Sequence, residues 1–240
     1  MSYFNKILPW LLPIFLICGF EFSAYGQVET YQYLRSTQDS VTTALSKISA
    51  QLNTKRRAHT FYIEKEWQHC TMQTKDGRLF HFNGRYSVLD NAIEWNMNGK
   101  SGKIYPGRMN GASIGNRVFV PIPADRIDGE RSASYFEVLE AGNMSLFVRH
   151  TLDYKVEGSN GLTSNVNGEK VYFMTEELYY AQGDDALKKL KGGKKRVLKL
   201  FENRRDDMET YVESKKIKFN DRKDLRELFN RYNQLSQESD

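Results

Sequence analysis

Apolar and polar positions alternate along the middle of the chain, with the period of half-buried β-strands. Lys75-Asp76-Gly77 separates two such runs, and an Asp-Gly dipeptide in this position predicts a hairpin. Turn residues recur about every ten positions downstream, which indicates an antiparallel meander rather than parallel βαβ units. The pattern predicts about seven to nine strands in a barrel- or sandwich-like arrangement. The clearest strand runs are 67–74, 78–86, 92–97, 102–105, 117–122, 135–140, 144–156 and 170–180.

Two of these runs, Val118-Phe119-Val120 and Leu146-Phe147-Val148, are apolar without interruption. Successive side chains of a strand point to opposite faces of the sheet. We therefore expect part of the sheet to be covered on both sides.

A helical period precedes and follows the strands. Residues 39–53 carry apolar side chains on one stripe, and 184–190 has the pattern of one or two helical turns before Gly192-Gly193. Further helix is predicted over 194–216. Asn220 or Asp221 can cap a last helix. The apolar face of that helix contains Leu225, Leu228, Phe229, Tyr232 and Leu235.

The predicted fold class is therefore α+β: an antiparallel β-meander with a short N-terminal helix and a C-terminal helical tail. Its parts are a signal peptide at 1–26, a segment with one helix at 27–58, a β domain at 59–183 and a basic helical tail at 184–240.

The N-terminus has the layout of a secretory signal peptide. Lys6 precedes an apolar run from Ile7 to Phe20, and Ala24 and Gly26 supply the small residues required before a cut at Gln27. The run is shorter than the about 20 apolar residues that span a bilayer. We expect an exported protein, periplasmic or secreted, that is not an integral membrane protein after cleavage.

Composition supports a folded chain of this kind. Its 240 residues are 40% hydrophobic and 13% aromatic, enough to form a substantial core. Cleavage before Gln27 would leave Cys70 as the one cysteine, so the mature chain would have no internal disulfide. We interpret Cys70 as a small buried hydrophobe.

Several segments carry a resemblance. The chain resembles uncharacterised secreted proteins of Bacteroidota in Glu66-Trp67-Gln68, Tyr86–Asn91, Ile114–Phe119 and the tail segment from Tyr211 to Asn233. The resemblance implies an exported location and a β-rich domain followed by a helical tail. It brings no activity and no site residues.

A metal site is one chemical hypothesis for the first hairpin. If Asp76-Gly77 forms a two-residue turn, His81 lies opposite Met72 and diagonal to Cys70, so the three share one face. Such soft ligands suit copper or zinc. A shift of one residue would send Cys70 and His81 to opposite faces. Ordinary sheet packing is the favoured interpretation, and no metal or other cofactor is predicted.

Acidic residues offer two weaker patterns. Asp125, Asp128 and Glu130 surround a glycine and lack the spacing of a calcium loop. Glu64 and Glu66 alternate beside Trp67 and could serve a carbohydrate hydrolase as acid and base. A solvated strand face has the same pattern and is the favoured interpretation.

The basic tail is the most distinctive chemical feature. Net charge is +5 for the whole chain, whereas 184–233 contains 16 Lys or Arg and 10 Asp or Glu. In an exported protein such a patch would meet anionic lipid, lipopolysaccharide or acidic glycan rather than nucleic acid. A soluble helix pair with charged outer faces has the same pattern and is the favoured interpretation. The candidate anion-binding residues are Lys188, Lys189, Lys191, Lys194, Lys195 and Arg196.

Two functions follow as expectations. The first is a non-enzymatic envelope module that binds a partner or an anionic surface. The second is a hydrolase-type enzyme whose site is dispersed over the β domain, since many active sites have no local motif.

Overall fold

The computed structural model describes residues 61–157 and 169–237. The predicted signal peptide and the predicted helix at 39–53 lie outside these residues. The described strands are β1 (Gln68–Thr74), β2 (Leu79–Ser87), β3 (Ala92–Met97), β4 (Lys100–Ile104), β5 (Met109–Ile114), β6 (Arg117–Ile122), β7 (Ser134–Glu140), β8 (Met144–Glu157), β9 (Glu169–Gln182) and β10 (Lys188–Lys189).

The strands form one antiparallel sheet in the order β10-β9-β8-β7-β6-β5-β1-β2-β3-β4. The predicted antiparallel sheet is confirmed. The sheet is open, with β10 and β4 at its edges, so a closed barrel is not formed. One connection departs from a simple meander: after β4, the chain returns to pair β5 with β1.

Helices follow the strands, as predicted. The C-terminal helices are α1 (Lys194–Leu198), a 3-10 helix (Lys199–Arg204), α2 (Arg205–Lys215) and α3 (Arg222–Gln237). A separate 3-10 turn, Ala124–Arg126, lies between β6 and β7. Asp221 caps α3, since its carboxylate accepts hydrogen bonds from the backbone N–H groups of Lys223 and Asp224.

The predicted helical turn at 184–190 is wrong. Lys188 and Lys189 form β10 instead, and the backbone of the buried Leu187 bonds with Arg126 and Asp128. A helix of only two turns forms few internal hydrogen bonds, and these do not offset the conformational entropy lost in nucleating the first turn. Pairing with a neighbouring segment satisfies the same backbone groups.

The described residues divide between two compact units. We call the part formed by 61–116, 150–157 and 169–176 the strand unit. The part formed by 117–149 and 177–237 is the helix unit.

Side chains of the strand unit alternate between a buried apolar face and a polar face. Cys70 and Met72 of β1 lie on the buried face, and His69 and Thr71 lie on the other. Neighbouring strands extend the buried face with six apolar side chains that are at most 6% exposed: Phe82, Ile93, Trp95, Ile104, Ala112 and Ile114.

The sheet of the strand unit is strongly coiled. β4 and β5 run in the same direction, and only residues 105–108 connect them. In a flat sheet, four strand spacings would put β4 and β5 about 19 Å apart. Because the two strands are parallel, the link would also have to run back along the length of a strand. An extended link of this length reaches only about 17 Å. Two glycines allow the close packing on the buried face. A Cβ at Gly84 would lie 2.8 Å from Cys70 Cβ, and one at Gly102 would lie 2.6 Å from Trp95 Nε1.

In the helix unit the sheet is covered on both faces, as predicted. Leu146 and Val148 pack into a cluster with the buried side chains of the C-terminal helices. Phe147 points the other way, into a cluster that Ile127 and Leu187 complete. All three residues of the Leu-Phe-Val run are therefore buried.

The last helix is fixed to the sheet by its apolar face and by a buried amide. Leu228, Phe229 and Tyr232 have no exposed surface. Asn233 accepts a hydrogen bond from Met144 N at 2.9 Å and donates one to Met144 O at 3.0 Å. The predicted apolar face of this helix is confirmed.

Candidate functional site

The first two predicted anion-binding residues lie in the edge strand β10. Lys188 pairs with Asp185 at 3.3 Å, and Lys189 pairs with Glu177. The hydrogen bond with Glu177 raises the pKa of Lys189. Both ammonium groups already have a carboxylate beside them.

The other four predicted residues surround the start of α1. Lys194 pairs with Glu213 of α2 at 3.4 Å. Among the residues that the structure describes, Lys191, Lys195 and Arg196 are exposed and have no carboxylate within ion-pair distance. Three of the six predicted cations therefore keep their charge uncompensated.

A second basic segment lies next to them. Lys215 and Lys216 end α2, and Lys218 follows in the turn before α3; all three are exposed. The Lys194–Glu213 pair ties this end of α2 to α1. A Cβ at Gly192 would lie 4.0 Å from the carbonyl oxygen of Phe219, so the two loops are adjacent.

We call these six cations the basic surface: Lys191, Lys195, Arg196, Lys215, Lys216 and Lys218. The sequence pattern marked the first three and missed the second three. The run Lys215-Lys216-Ile217-Lys218 is visible in the sequence, but its position beside Gly192 depends on how α1 and α2 pack.

The predicted grouping of Cys70, Met72 and His81 is wrong. Thr71, not Met72, lies opposite His81, so Cys70 and His81 point to opposite faces. The turn is the cause: it has three residues, closed by a hydrogen bond from Thr74 N to Arg78 O at 2.9 Å, rather than two. One extra turn residue shifts every pair by one.

Cys70 is fully buried, as the sequence interpretation expected. Burial raises the pKa of its thiol. A thiol kept neutral on the inner face is a packing group, not a nucleophile.

His81 has a different partner, His69. The two rings stack with centroids 5.8 Å apart and an angle of 14° between their planes. Burial and the neighbouring His69 both lower the pKa of His81. Both imidazoles are exposed on the polar face of the strand unit.

The polar face continues into a network of charges. Arg85 donates from Nε and Nη2 to Glu94, each at 3.0 Å, and its guanidinium stacks 3.7 Å from the ring centre of Tyr62 and 4.4 Å from that of Trp67. Lys103 lies 3.6 Å from Glu94. Lys103 also pairs with Asp90 at 2.7 Å, so two cations and two carboxylates balance within the network.

The acidic candidates do not converge. Glu130 pairs with Arg149, which removes one carboxylate from the Asp125, Asp128 and Glu130 set. Across 61–157 and 169–237, no three His, Cys, Asp or Glu side chains are grouped to hold a metal ion. Glu64 and Glu66 lie in a bend before β1 rather than on a strand.

No family model, no curated protein and no solved structure matches the chain. The resemblance to secreted proteins of Bacteroidota stays a prediction. Within the described part of the chain, no helix is long and apolar enough to cross a membrane.

Proposed function

We propose that the protein is an exported, non-enzymatic binding module of the cell envelope that attaches to phosphate-bearing anionic surfaces through the basic surface. The observation that carries the proposal is the meeting of two lysine-rich segments beside Gly192. The six cations of the basic surface are exposed, and the carboxylates of Asp221 and Asp224 lie beside Lys218 at one end of it.

The charge of this surface favours a ligand with several negative groups. Exposed ion pairs gain little, so the paired Lys188, Lys189 and Lys194 contribute less to an external ligand than the unpaired cations do. Each unpaired cation near an anionic membrane contributes on the order of 1 kcal/mol. The six together are sufficient for a peripheral, salt-sensitive attachment.

The strand unit supports a binding role over a dispersed hydrolase site. Its inner face is filled by apolar side chains such as Met72, Trp95 and Ile104, each at most 3% exposed. Ligand sites in enzymes are usually concave and combine apolar walls with a few convergent polar groups. A filled interior leaves the outer surfaces as the regions that meet a partner.

Export would bring the basic surface into contact with the anionic molecules of the envelope. The apolar run up to Phe20 and the Ala24-Tyr25-Gly26 ending support cleavage before Gln27. In the envelope, phospholipid headgroups and lipopolysaccharide are the abundant polyanions. N-terminal sequencing of the protein from envelope fractions should give Gln27 first, and an intact Met1 in a cytoplasmic pool would contradict export.

The direct test is co-sedimentation of the chain from Gln27 onwards with phosphatidylglycerol vesicles, with lipopolysaccharide and with neutral phosphatidylcholine vesicles. We expect binding to the two anionic samples alone. Raising NaCl from about 0.1 M to about 1 M shortens the screening length from about 10 Å to about 3 Å and should release the protein. The comparison between lipid and lipopolysaccharide identifies the source of the phosphate.

The decisive variant reverses Lys191, Lys195 and Arg196 to Glu. Loss of three favourable cations should weaken vesicle binding at least about 100-fold. Reversal of Lys65, Lys75 and Arg131, three exposed cations that are not part of the basic surface, is the matched control with the same charge change. Equal loss in both triple variants would mean that only net charge matters and would contradict a defined surface.

A further inference from the structure

The histidine pair of the strand unit is held by two hydrogen-bonded strands. His69 of β1 lies opposite Asn83, and His81 of β2 lies opposite Thr71, so the histidines are diagonal neighbours on one face. Diagonal positions are about 7–8 Å apart in the backbone, within reach of two imidazoles. β1 also pairs with β5 on its other side, which fixes the backbone below the pair.

The ring nitrogens converge on a single atom. Thr71 Oγ1 lies 2.9 Å from His81 Nδ1 and 3.5 Å from His69 Nε2. A hydroxyl can donate to one nitrogen and accept from the other, so Thr71 Oγ1 lies within hydrogen-bond distance of a nitrogen of each ring. The side chain of Thr71 is only 6% exposed and forms the floor between the two exposed rings.

We propose that His69 and His81 together bind one divalent transition-metal ion of the zinc or copper class, with water completing the coordination. Imidazole is a preferred ligand of both ions. The bond from zinc to an imidazole nitrogen is about 2.0–2.1 Å and lies in the plane of the ring. Because the two ring planes are only 14° apart, at least one exposed ring must turn about its side-chain torsions before both nitrogens can meet one ion. The ion would take over the two contacts that Thr71 Oγ1 now makes.

This site differs from the Cys, Met and His set suggested by the sequence. The thiol of Cys70 is on the buried face, so the ligands are two nitrogens and the ion faces solvent. Two protein ligands leave several coordination positions to water or to an external donor. We infer a site that exchanges its ion and can bridge to another ligand, rather than a closed structural centre.

The test is titration of the untagged chain with Zn²⁺ and with Cu²⁺, and with Mg²⁺ as the hard-ion control. We expect one Zn²⁺ or Cu²⁺ per chain and no Mg²⁺ uptake. His69→Gln and His81→Gln should each abolish the stoichiometric ion or weaken it at least tenfold, because each removes half of one shared site. Thr71→Val keeps both imidazoles and should change affinity less than threefold.

Stoichiometry separates a shared site from two independent surface histidines. If each single variant loses only a part of the uptake and the losses add, the shared site is wrong. In wild-type protein, paramagnetic Cu²⁺ should broaden the imidazole NMR signals of His69 and His81 together, before that of the buried His150. Broadening of one without the other would overturn the proposal even if a variant failed to fold.

Discussion

The two units use the same antiparallel sheet in different ways. In the helix unit, Leu146, Phe147 and Val148 are all buried because helices cover one face and Ile127 and Leu187 close the other. In the strand unit, Cys70 is buried on the apolar face while His69 is exposed on the polar face, where Thr71 and Gln73 are buried polar side chains.

This difference determines which side chains of each unit can contact a ligand. A strand covered on both faces presents no side chains to a ligand, so the basic surface of the helix unit is formed by α1, α2 and the loops beside them. A strand with one polar face can align ligands at fixed spacing, as His69 and His81 show. The following predictions test the contrast, in order of decreasing effect.

Leu228→Asp should have the largest effect. Leu228 has no exposed surface and packs in the cluster between α3 and the sheet. An unpaired carboxylate there should destabilise the fold by about 4 kcal/mol or more, measured by urea unfolding. Gln234→Asp puts the same charge on the exposed side of α3 and should cost about 0.5 kcal/mol or less. Equal melting of Leu228→Asp and wild type would mean that α3 does not pack on the sheet.

Gly102→Ala tests the inner face of the strand unit. The added methyl would lie 2.6 Å from Trp95 Nε1, so the indole or the strand must move. We expect a loss of about 2 kcal/mol, typical of an overpacked core, and a changed tryptophan fluorescence. Gly192→Ala is the matched control, because its new Cβ would lie 4.0 Å from the carbonyl oxygen of Phe219, an ordinary van der Waals distance. No difference between the two variants would contradict the tight coil.

Glu137→Gln tests a buried charge in the helix unit. Its side chain is 4% exposed and lies between Arg117, at 3.0 Å, and Arg222 of α3. Breaking a buried ion pair is costly, but the partly exposed arginines regain water, so we expect about 2 kcal/mol. Glu213→Gln removes a carboxylate that is 72% exposed and should change stability little. A similar loss of folding stability in both variants would show that the burial of Glu137 does not strengthen its ion pairs.

The smallest effect concerns His81. Because its pKa is lowered in the folded state, the unfolded chain binds more protons just below pH 6.5, and stability should rise with pH through that window. NMR titration should place the pKa of His81 below 6.5, and His69→Gln should move it upwards by removing a neighbouring positive charge. An unchanged pKa in that variant would mean that the two rings do not interact.

The sequence predicted those features of the fold that depend on interactions between residues close together in the chain. The period of Leu225, Leu228, Phe229 and Tyr232 and the cap at Asp221 defined α3, because both depend on residues a few positions apart. The hairpin was also found, but its register depended on whether the turn held two residues or three. Gly77, at a φ of +89°, completes the three-residue turn.

The remaining features depend on distant pairing. The strand β5 contains Asn110 and Gly111, which disfavour a strand in isolation, and it forms because β1 is available beside it. The His69–His81 pair required the register that the turn sets. The contribution of Lys215–Lys218 to the basic surface required the packing of α2 against α1, which no period in the sequence encodes.

The shortness of β10 has a consequence for how the protein behaves among many copies of itself. An edge strand exposes backbone groups that can recruit another chain, and long flat edges promote aggregation. β10 is two residues long, both of them lysine, and it pairs with only Tyr179 and Tyr180 of the 14-residue β9. The β10 segment is too short to template a stable new strand, and its two long lysine side chains, each beside a carboxylate, hinder the approach of another strand. Replacing both lysines with threonine should thus leave a folded protein that polymerises more readily when concentrated.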